Sequence, residues 1–575
     1  MKLLLSGNKA IAMGAKRAGV RFASGYPGTP STEILENLAA YDGISVQWSP
    51  NEKVALEVAI GASLGGARAL VAMKHVGLNV AADPLFTLAY TGVNAGLVVV
   101  TADDPGMHSS QNEQDNRFYA LAAKVPMLEP SDSAEALEFT VEAFKISEEY
   151  DLPVLLRTTT RISHSKSVVD ALEGEFGETE LKEYGKDARK YVMIPAHARD
   201  RRRSLDDRHS RLLAYSESAA INKVERGSGS LGVISSGVAY QYAKEAFPEA
   251  SHLKLGLTNP IPEKLVREFA SSVERVAVVE ELSPYIEERT KLLGIDAVGK
   301  GSEAAVGELN VERVRRAFGL PAPEGYPEIE NLPPRPPVLC PGCPHRGVFY
   351  VLKKMKVPVM GDIGCYTLAV MPPLEAMDMC ICMGAGIGSA LGFQKATGRR
   401  DVVAVIGDST FVHSGITPLV DIVYNGGSIT VVILDNGTTA MTGRQDHPGT
   451  GRTLRGDEAP RLDFEEVAKA LGVRDTRVVD PYNPEEVENA LTEALAKDEP
   501  SVVIARRPCV LLDRKKSHPF YVDENCTDCR RCLRLGCPAI SKVAGGVAIE
   551  PSLCTGCGIC AELCAFGAIS EGSHD

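Results

Sequence analysis

No stretch of the 575-residue chain approaches the roughly 18–20 consecutive apolar residues that a membrane-spanning helix needs. The start, MKLLLSGNKA, offers three leucines before polar residues resume, too short a core for a secretory signal. An excess of positive charge is missing as well: 62 Lys and Arg face 75 Asp and Glu, a net charge of −13. Nucleic-acid binding calls for a basic surface, so no nucleic-acid partner is expected. What remains is the composition of a soluble globular protein, 44% hydrophobic and 24% charged, with the cytoplasm as the expected location. The length suits roughly three to five domains.

The fourteen cysteines are unevenly spread, with eight inside the last 50 residues. In a reducing compartment such clumps read as metal ligands rather than disulfides. They form a repeat. Cys526-x2-Cys529-x2-Cys532-x4-Cys537-Pro recurs as Cys554-x2-Cys557-x2-Cys560-x3-Cys564. Three cysteines at two-residue intervals wrap one cubane, and the fourth reaches the cluster of the other half. Cys526, Cys529, Cys532 and Cys564 are therefore assigned to one [4Fe-4S] cluster. Cys554, Cys557, Cys560 and Cys537 are assigned to a second. Two zinc knuckles are the competing reading, but zinc prefers four ligands in separated CxxC pairs. Two details depart from the bacterial ferredoxin pattern: the extra residue before Cys537, and Ala565 where proline is usual.

Ahead of this tail the chain reads as multidomain α/β. Residues 1–165 alternate helical patterns with buried β-branched runs such as AGLVVVTADDPG, which predicts a mostly parallel sheet. Residues 166–229 are charged and irregular, with RDRRRSLDDRHSR (199–211) read as a solvated connector or helix. A second α/β unit occupies 230–330. After the stiff segment NLPPRPPV (331–338), a third fills the span 331–516, and the tail covers 517–575.

The third unit carries a cation site. VVAVIG ends at Gly407-Asp408-Ser409, and ITVVIL ends at Asp435-Asn436-Gly437. Oxygen side chains at two strand tips suit Mg²⁺, which accepts diphosphate oxygens in its octahedral shell. The arrangement resembles the thiamine diphosphate (ThDP) motif, Gly-Asp-Gly followed at a distance by Asn-Asn. That resemblance implies Asp408, Asn436 and the Thr438 carbonyl as Mg²⁺ ligands, with Gly407 and Ser409 beside the cofactor. Ser409 and Asp435 depart from the motif, but neither is a metal-ligand position. MGAGIG (383–388) places Gly384 and Gly386 at a helix start where backbone N–H groups can approach a diphosphate. Close helix packing is the alternative use of those glycines.

Together with GYPGTPST, MKHVGLNVAADP, DDPGMHSSQNEQD, CPGCPHRG and LDNGTTAMTGRQ, these features resemble the 2-oxoacid:ferredoxin oxidoreductase family along nearly the whole chain, and within it the alpha subunits of the indolepyruvate branch. The resemblance implies a pyrimidine-type ThDP domain, a transketolase C-terminal-like domain, a diphosphate-type ThDP domain and a two-cluster ferredoxin domain, in that order. It implies that a helix-heading glutamate, Glu52 in preference to Glu57, bonds the aminopyrimidine N1′ and activates the cofactor. A helix start favours a glutamate by its dipole alone. Thr29 would face the substrate carboxylate and cofactor, and His75 and His108 are candidates to line the pocket, although a lone histidine is as often structural.

The resemblance further implies a proximal third [4Fe-4S] cluster on Cys340, Cys343, Cys365 and Cys509. Buried, inert thiols or a zinc or redox pair are the alternatives there. The implied reaction converts an arylpyruvate, coenzyme A (CoA) and oxidised ferredoxin to aryl-acetyl-CoA, CO₂ and reduced ferredoxin. A smaller beta subunit carrying the gamma-type domain is expected in an α2β2 assembly. Two rival readings are a non-oxidative ThDP decarboxylase and an electron-transfer subunit without catalysis of its own. The first does not need the cluster tail, and the second does not need Asp408 and Asn436.

Overall fold

The run LVVVTAD at Leu97–Asp103 is buried at every position, as a strand covered on both faces must be. In the computed structural model, which describes residues 2–170, 180–302, 304–321, 331–333, 335–512 and 518–572, it lies at the centre of a seven-stranded sheet. The order is Leu257–Asn259, Met127–Leu128, Val154–Thr159, Leu97–Asp103, Ala69–Lys74, Phe22–Gly25, Ser45–Trp48. Every neighbouring pair is parallel except the first. A five-stranded sheet follows in the same compact unit, Met1–Ile329, with Leu231–Ser236 between Arg275–Val279 and Ser251–Leu255. Strand Leu257–Asn259 falls between two of that second sheet's strands in sequence, Ser251–Leu255 and Arg275–Val279, yet pairs into the first sheet.

Buried charge ties these sheets together. Arg117 is wholly buried; its guanidinium meets Asp115 and Glu280 at 2.6 Å each and donates to the carbonyls of Glu281 and Ser283. Arg157 meets Asp103 at 2.7 Å and Glu129 at 2.6 Å. Removing one partner of such a network leaves charge stranded in a dry interior. Arg117→Ala is therefore expected to destabilise this unit by about 3–5 kcal/mol, read as a fall in its thermal midpoint. A midpoint within a degree of wild type would show that the network carries no stability.

The charged segment after 165 is more ordered than its composition suggests. Lys166–Asp170 pairs antiparallel with Lys2–Ser6. Pro195–Ser216 is a 22-residue helix. Two of its arginines, Arg201 and Arg208, face inward because unpaired helix-end carbonyls await them. Arg201 and Arg208 donate to the carbonyls of Ala89, Tyr90 and Thr91 at the end of helix Ala82–Thr91, and both meet Asp151. Residues 171–179 of the proposed connector lie outside the described residues, as do residue 334 of the proline-rich segment and 513–517 at the expected junction with the tail.

The second compact unit, Glu330–Asp575, holds an all-parallel sheet ordered Val359–Met360, Val403–Gly407, Thr430–Asp435, Ser501–Arg506, Asp475–Val479. Its two faces are covered by separate apolar clusters. The tail contributes two antiparallel strand pairs around a small core that includes all eight of its ligand-candidate cysteines except Cys529. No helix among the described residues is long and apolar enough to cross a membrane.

Candidate active site

In the first unit the parallel strands deliver their carboxyl ends to one edge. Asn51 caps the helix Glu52–Leu64 by accepting the Val54 N–H at 2.9 Å. Glu52, the first helical residue, is buried. Gly77 makes room for it: a Cβ there would fall 2.6 Å from Glu52 Oε1. Glu57 instead sits on a half-exposed face, paired with Lys53 at 2.9 Å. His75 is wholly buried, with Nε2 3.2 Å from Asn112 Oδ1, and burial pushes its pKa down. The half-buried Thr29 accepts from Ser109 Oγ at 3.5 Å through its carbonyl. His108 is placed differently, 52% exposed and 3.5 Å from Glu308.

Sequence reasoning passed over Lys74, the residue before His75. Its ammonium is buried at the strand end and donates to the Ser109 carbonyl at 2.6 Å, which joins it to the loop that touches Thr29. Desolvation lowers its pKa to about 8 against the opposing pull of Asp104. A lone lysine closing an apolar strand was the available signal.

In the second unit Asp408 stands at the carboxyl end of Val403–Gly407, 2% exposed. One of its oxygens accepts the Ser409 N–H at 2.7 Å, and the other accepts those of Asn436 at 3.1 Å and Gly437 at 2.7 Å. The neighbouring parallel strand, Thr430–Asp435, delivers that turn in register. Asn436 Oδ1 accepts the Thr438 N–H at 3.0 Å, so the carboxylate, amide and turn backbone stand together. These are the hard oxygen donors that Mg²⁺ takes.

Two histidines attend the turn. His345 is buried, its pKa depressed to about 4 by desolvation, and its Nε2 lies 3.2 Å from Asn436 Nδ2. His447 accepts the Gly449 N–H at Nδ1, which puts its proton on Nε2. That Nε2 is buried without a hydrogen bond, 3.3 Å from Asp408 Oδ2. A buried donor in want of an acceptor fits an anionic cofactor held at this place.

The glycine-rich helix start behaves less simply. Gly384 caps the helix Ala385–Thr397 at φ +86, and its N–H donates to Asp362 Oδ2 at 2.7 Å. Asp362, raised to about 7 by burial, thus takes one donor that the sequence reading gives to a diphosphate. Gly386 has its own packing reason, since a Cβ there would come 2.7 Å from two backbone carbonyls. Gly407 likewise packs against Tyr366, whose hydroxyl accepts its N–H at 2.9 Å.

The fold gathers the cysteines into groups. Cys343, Cys365 and Cys509 each neighbour Cys340. Cys509 also donates its N–H to the Asn436 carbonyl at 2.8 Å. In the tail, one pocket is lined by Cys537, Cys554, Cys557 and Cys560, the set drawn from spacing. Cys526 and Cys529 neighbour Cys532, while Cys564 packs on the same small core. Burial pushes Cys343 and Cys560 up to about 12. Thiols so held ionise when a metal coordinates them, which suits ligands better than free nucleophiles. Among the described residues no three His, Cys, Asp or Glu side chains close on a single metal ion.

Comparison with known proteins adds to this geometry. Residues 13–212 match the family described as pyruvate flavodoxin/ferredoxin oxidoreductase, thiamine diphosphate-binding. Residues 362–505 match the C-terminal binding domain of thiamine pyrophosphate enzymes, and 547–570 match a 4Fe-4S binding domain. The indolepyruvate oxidoreductase subunit IorA of Archaeoglobus fulgidus is 42% identical, and that of Methanothermobacter thermautotrophicus 44% identical, each over 99% of this chain and 97% of its own length. A solved 2-oxoglutarate:ferredoxin oxidoreductase from Magnetococcus marinus is a distant likeness, with 17% identity and a TM-score of 0.46 over 55% of this chain and 65% of its own. The chain thus belongs to the family of IorA subunits, alpha subunits of ThDP-dependent, iron–sulfur 2-oxoacid:ferredoxin oxidoreductases.

Proposed function

We propose that the chain catalyses the CoA-dependent oxidative decarboxylation of arylpyruvates, with indolepyruvate preferred, and passes two electrons to ferredoxin. The observation that carries the reading is the hydrogen bond from Cys509 N–H to the Asn436 carbonyl. It sets a candidate cluster ligand one bond away from the candidate Mg²⁺ turn. Bound ThDP would supply the electron-sink chemistry at the 2-oxo carbon. Asp408, Asn436 and the Thr438 carbonyl would hold Mg²⁺, and Glu52 would engage the aminopyrimidine. Cys340, Cys343, Cys365 and Cys509 would hold a third cluster beside the two in the tail.

The relatives' names support indolepyruvate as the preferred substrate. The subunit designation supports a partner subunit, and we propose that it is a smaller beta chain in an α2β2 complex in the cytoplasm, where free thiols persist. The five-segment division given by the sequence remains our proposal for the domain boundaries.

Oxygen-free assay of the complex with ThDP, CoA, indolepyruvate and a viologen dye tests the reading. Rapid dye reduction with aryl-acetyl-CoA is expected. CO₂ with free aldehyde and no reduction would point to a non-oxidative decarboxylase. No turnover at all would leave an electron-transfer subunit.

Lys74 gives this site a pH signature. Its charged form prevails below about 8 and is lost above it. We propose that the ammonium attracts the 2-oxoacid carboxylate. The KM for the 2-oxoacid should then rise as pH passes through that value, and Lys74→Met should have a high KM that is flat with pH. The same alkaline limb persisting in Lys74→Met would assign it elsewhere.

A further inference from the structure

The guanidinium of Arg346 lies in an unusual place for a buried cation. The residue follows the first cysteine pair in Cys340-Pro-Gly-Cys343-Pro-His-Arg and is 2% exposed near the start of the helix His345–Met355. Its Nε donates to the Cys340 carbonyl at 3.0 Å, and Nη2 donates to the Leu339 carbonyl. Its Nη1 crosses to the tail and donates to the carbonyls of Leu535 at 3.1 Å and Gly536 at 2.6 Å, immediately before Cys537. No carboxylate among the described residues pairs with it. The ionisable side chains that act on it are Cys537, Cys343, Cys340 and Cys557, two from each candidate cluster set, and they would carry negative charge once they ligate iron.

The tail is pressed onto the same loop. A Cβ on Gly342, at φ +68, would fall 2.0 Å from Thr555 Oγ1, and Pro341 and Gly342 help line the pocket of Cys537, Cys554, Cys557 and Cys560. Burying an unpaired guanidinium costs several kcal/mol unless negative charge meets it. Carbonyl dipoles satisfy its hydrogens but do not neutralise it. A cluster ligated by four thiolates is negatively charged, and its potential depends on net charge and nearby donors.

We propose that Arg346 is the shared counter-charge of the proximal cluster and the second tail cluster, locking the tail against the CPGC loop and easing reduction of both. This rests on the third-cluster reading above. Arg346 is a positioning residue: it touches the backbone that carries the ligands, and each electron arriving on either cluster adds negative charge beside a fixed positive one.

The test uses the full-length chain in its complex, purified without oxygen, as wild type, Arg346→Gln and Arg346→Lys. Iron content and redox titration followed by electron paramagnetic resonance are measured. In Arg346→Gln the equilibrium constant for one-electron reduction should fall about tenfold for the proximal and second tail clusters, a shift of about 59 mV to lower potential. The cluster of Cys526, Cys529, Cys532 and Cys564 should not move, and Arg346→Lys should shift by less than half as much. Loss of the two neighbouring clusters in Arg346→Gln with retention in Arg346→Lys would also support a charge role. Loss in both would make the role one of shape and overturn the proposal. Three wild-type signals with unshifted potentials in Arg346→Gln would overturn it and leave the third cluster standing. A wild type with only the two tail clusters would remove the third-cluster reading and, with it, the bridge.

Discussion

Asp408→Ala is expected to weaken Mg²⁺-dependent ThDP binding by more than about 100-fold, because loss even of a group supporting a metal ligand commonly costs 10–100-fold. Two effects combine in this one side chain. The carboxylate would be the charged ligand of the proposed Mg²⁺ site, and it also accepts the N–H groups of Asn436 and Gly437. Without it the Asn436 amide loses its fixed place, and two backbone donors, one of them buried, lose their acceptor. Asp408→Asn separates the effects, since an amide oxygen can keep part of the turn while losing the charge. Its affinity should fall between those of wild type and Asp408→Ala. Calorimetric titration with ThDP and Mg²⁺ reads this directly. The two tail clusters should be retained in both variants, because the tail cysteines draw on a separate small core. Tight, metal-dependent retention of ThDP by Asp408→Ala would move the metal site away from this turn.

The parts of the site that the sequence made legible are those whose geometry is local or strictly periodic. Cysteines at two-residue intervals can present their sulfurs to one point, so the tail sets could be drawn from spacing, and Cys537, Cys554, Cys557 and Cys560 line one pocket. Buried β-branched runs ending in polar turns implied parallel strands with ligand groups at their tips, and Asp408 and Asn436 meet in that way. Glu52 was legible as a helix-start acid, although its burial against Gly77 was not. Lys74, Asp362 and Arg346 were overlooked for a common reason. Each is a charged residue whose surroundings come from segments distant in sequence, and composition reads such residues as surface. The arginine-rich stretch 199–211 shows the same blindness: Arg201 and Arg208 fold down onto carbonyls that only the tertiary structure brings near. His108, a candidate with His75 to line the pocket, stands half exposed beside Glu308.

Glu52→Gln is expected to bind ThDP within a few-fold of wild type while slowing deuterium exchange at C2 of the bound cofactor by on the order of 10²–10⁴. The substitution is nearly isosteric. Asn51 still caps the helix, Gly77 still accepts a side chain of the same shape, and the buried position is unchanged. Folding and cofactor retention should therefore survive. What the amide lacks is the ability to give and take a proton. A carboxyl bonded to the aminopyrimidine N1′ can share a proton with that nitrogen as charge shifts across the ring, and an amide cannot. The loss should thus fall on cofactor activation and on turnover, with KM for the 2-oxoacid little changed. Glu57→Gln is the matched control. Its carboxylate is half exposed and pairs with Lys53, so its removal should cost no more than about 0.5 kcal/mol of helix stability and leave exchange untouched. Exchange followed by NMR on both variants distinguishes the two glutamates. Wild-type exchange in Glu52→Gln, with slowed exchange in Glu57→Gln, would transfer the role to the exposed residue and require a partner surface to bury it.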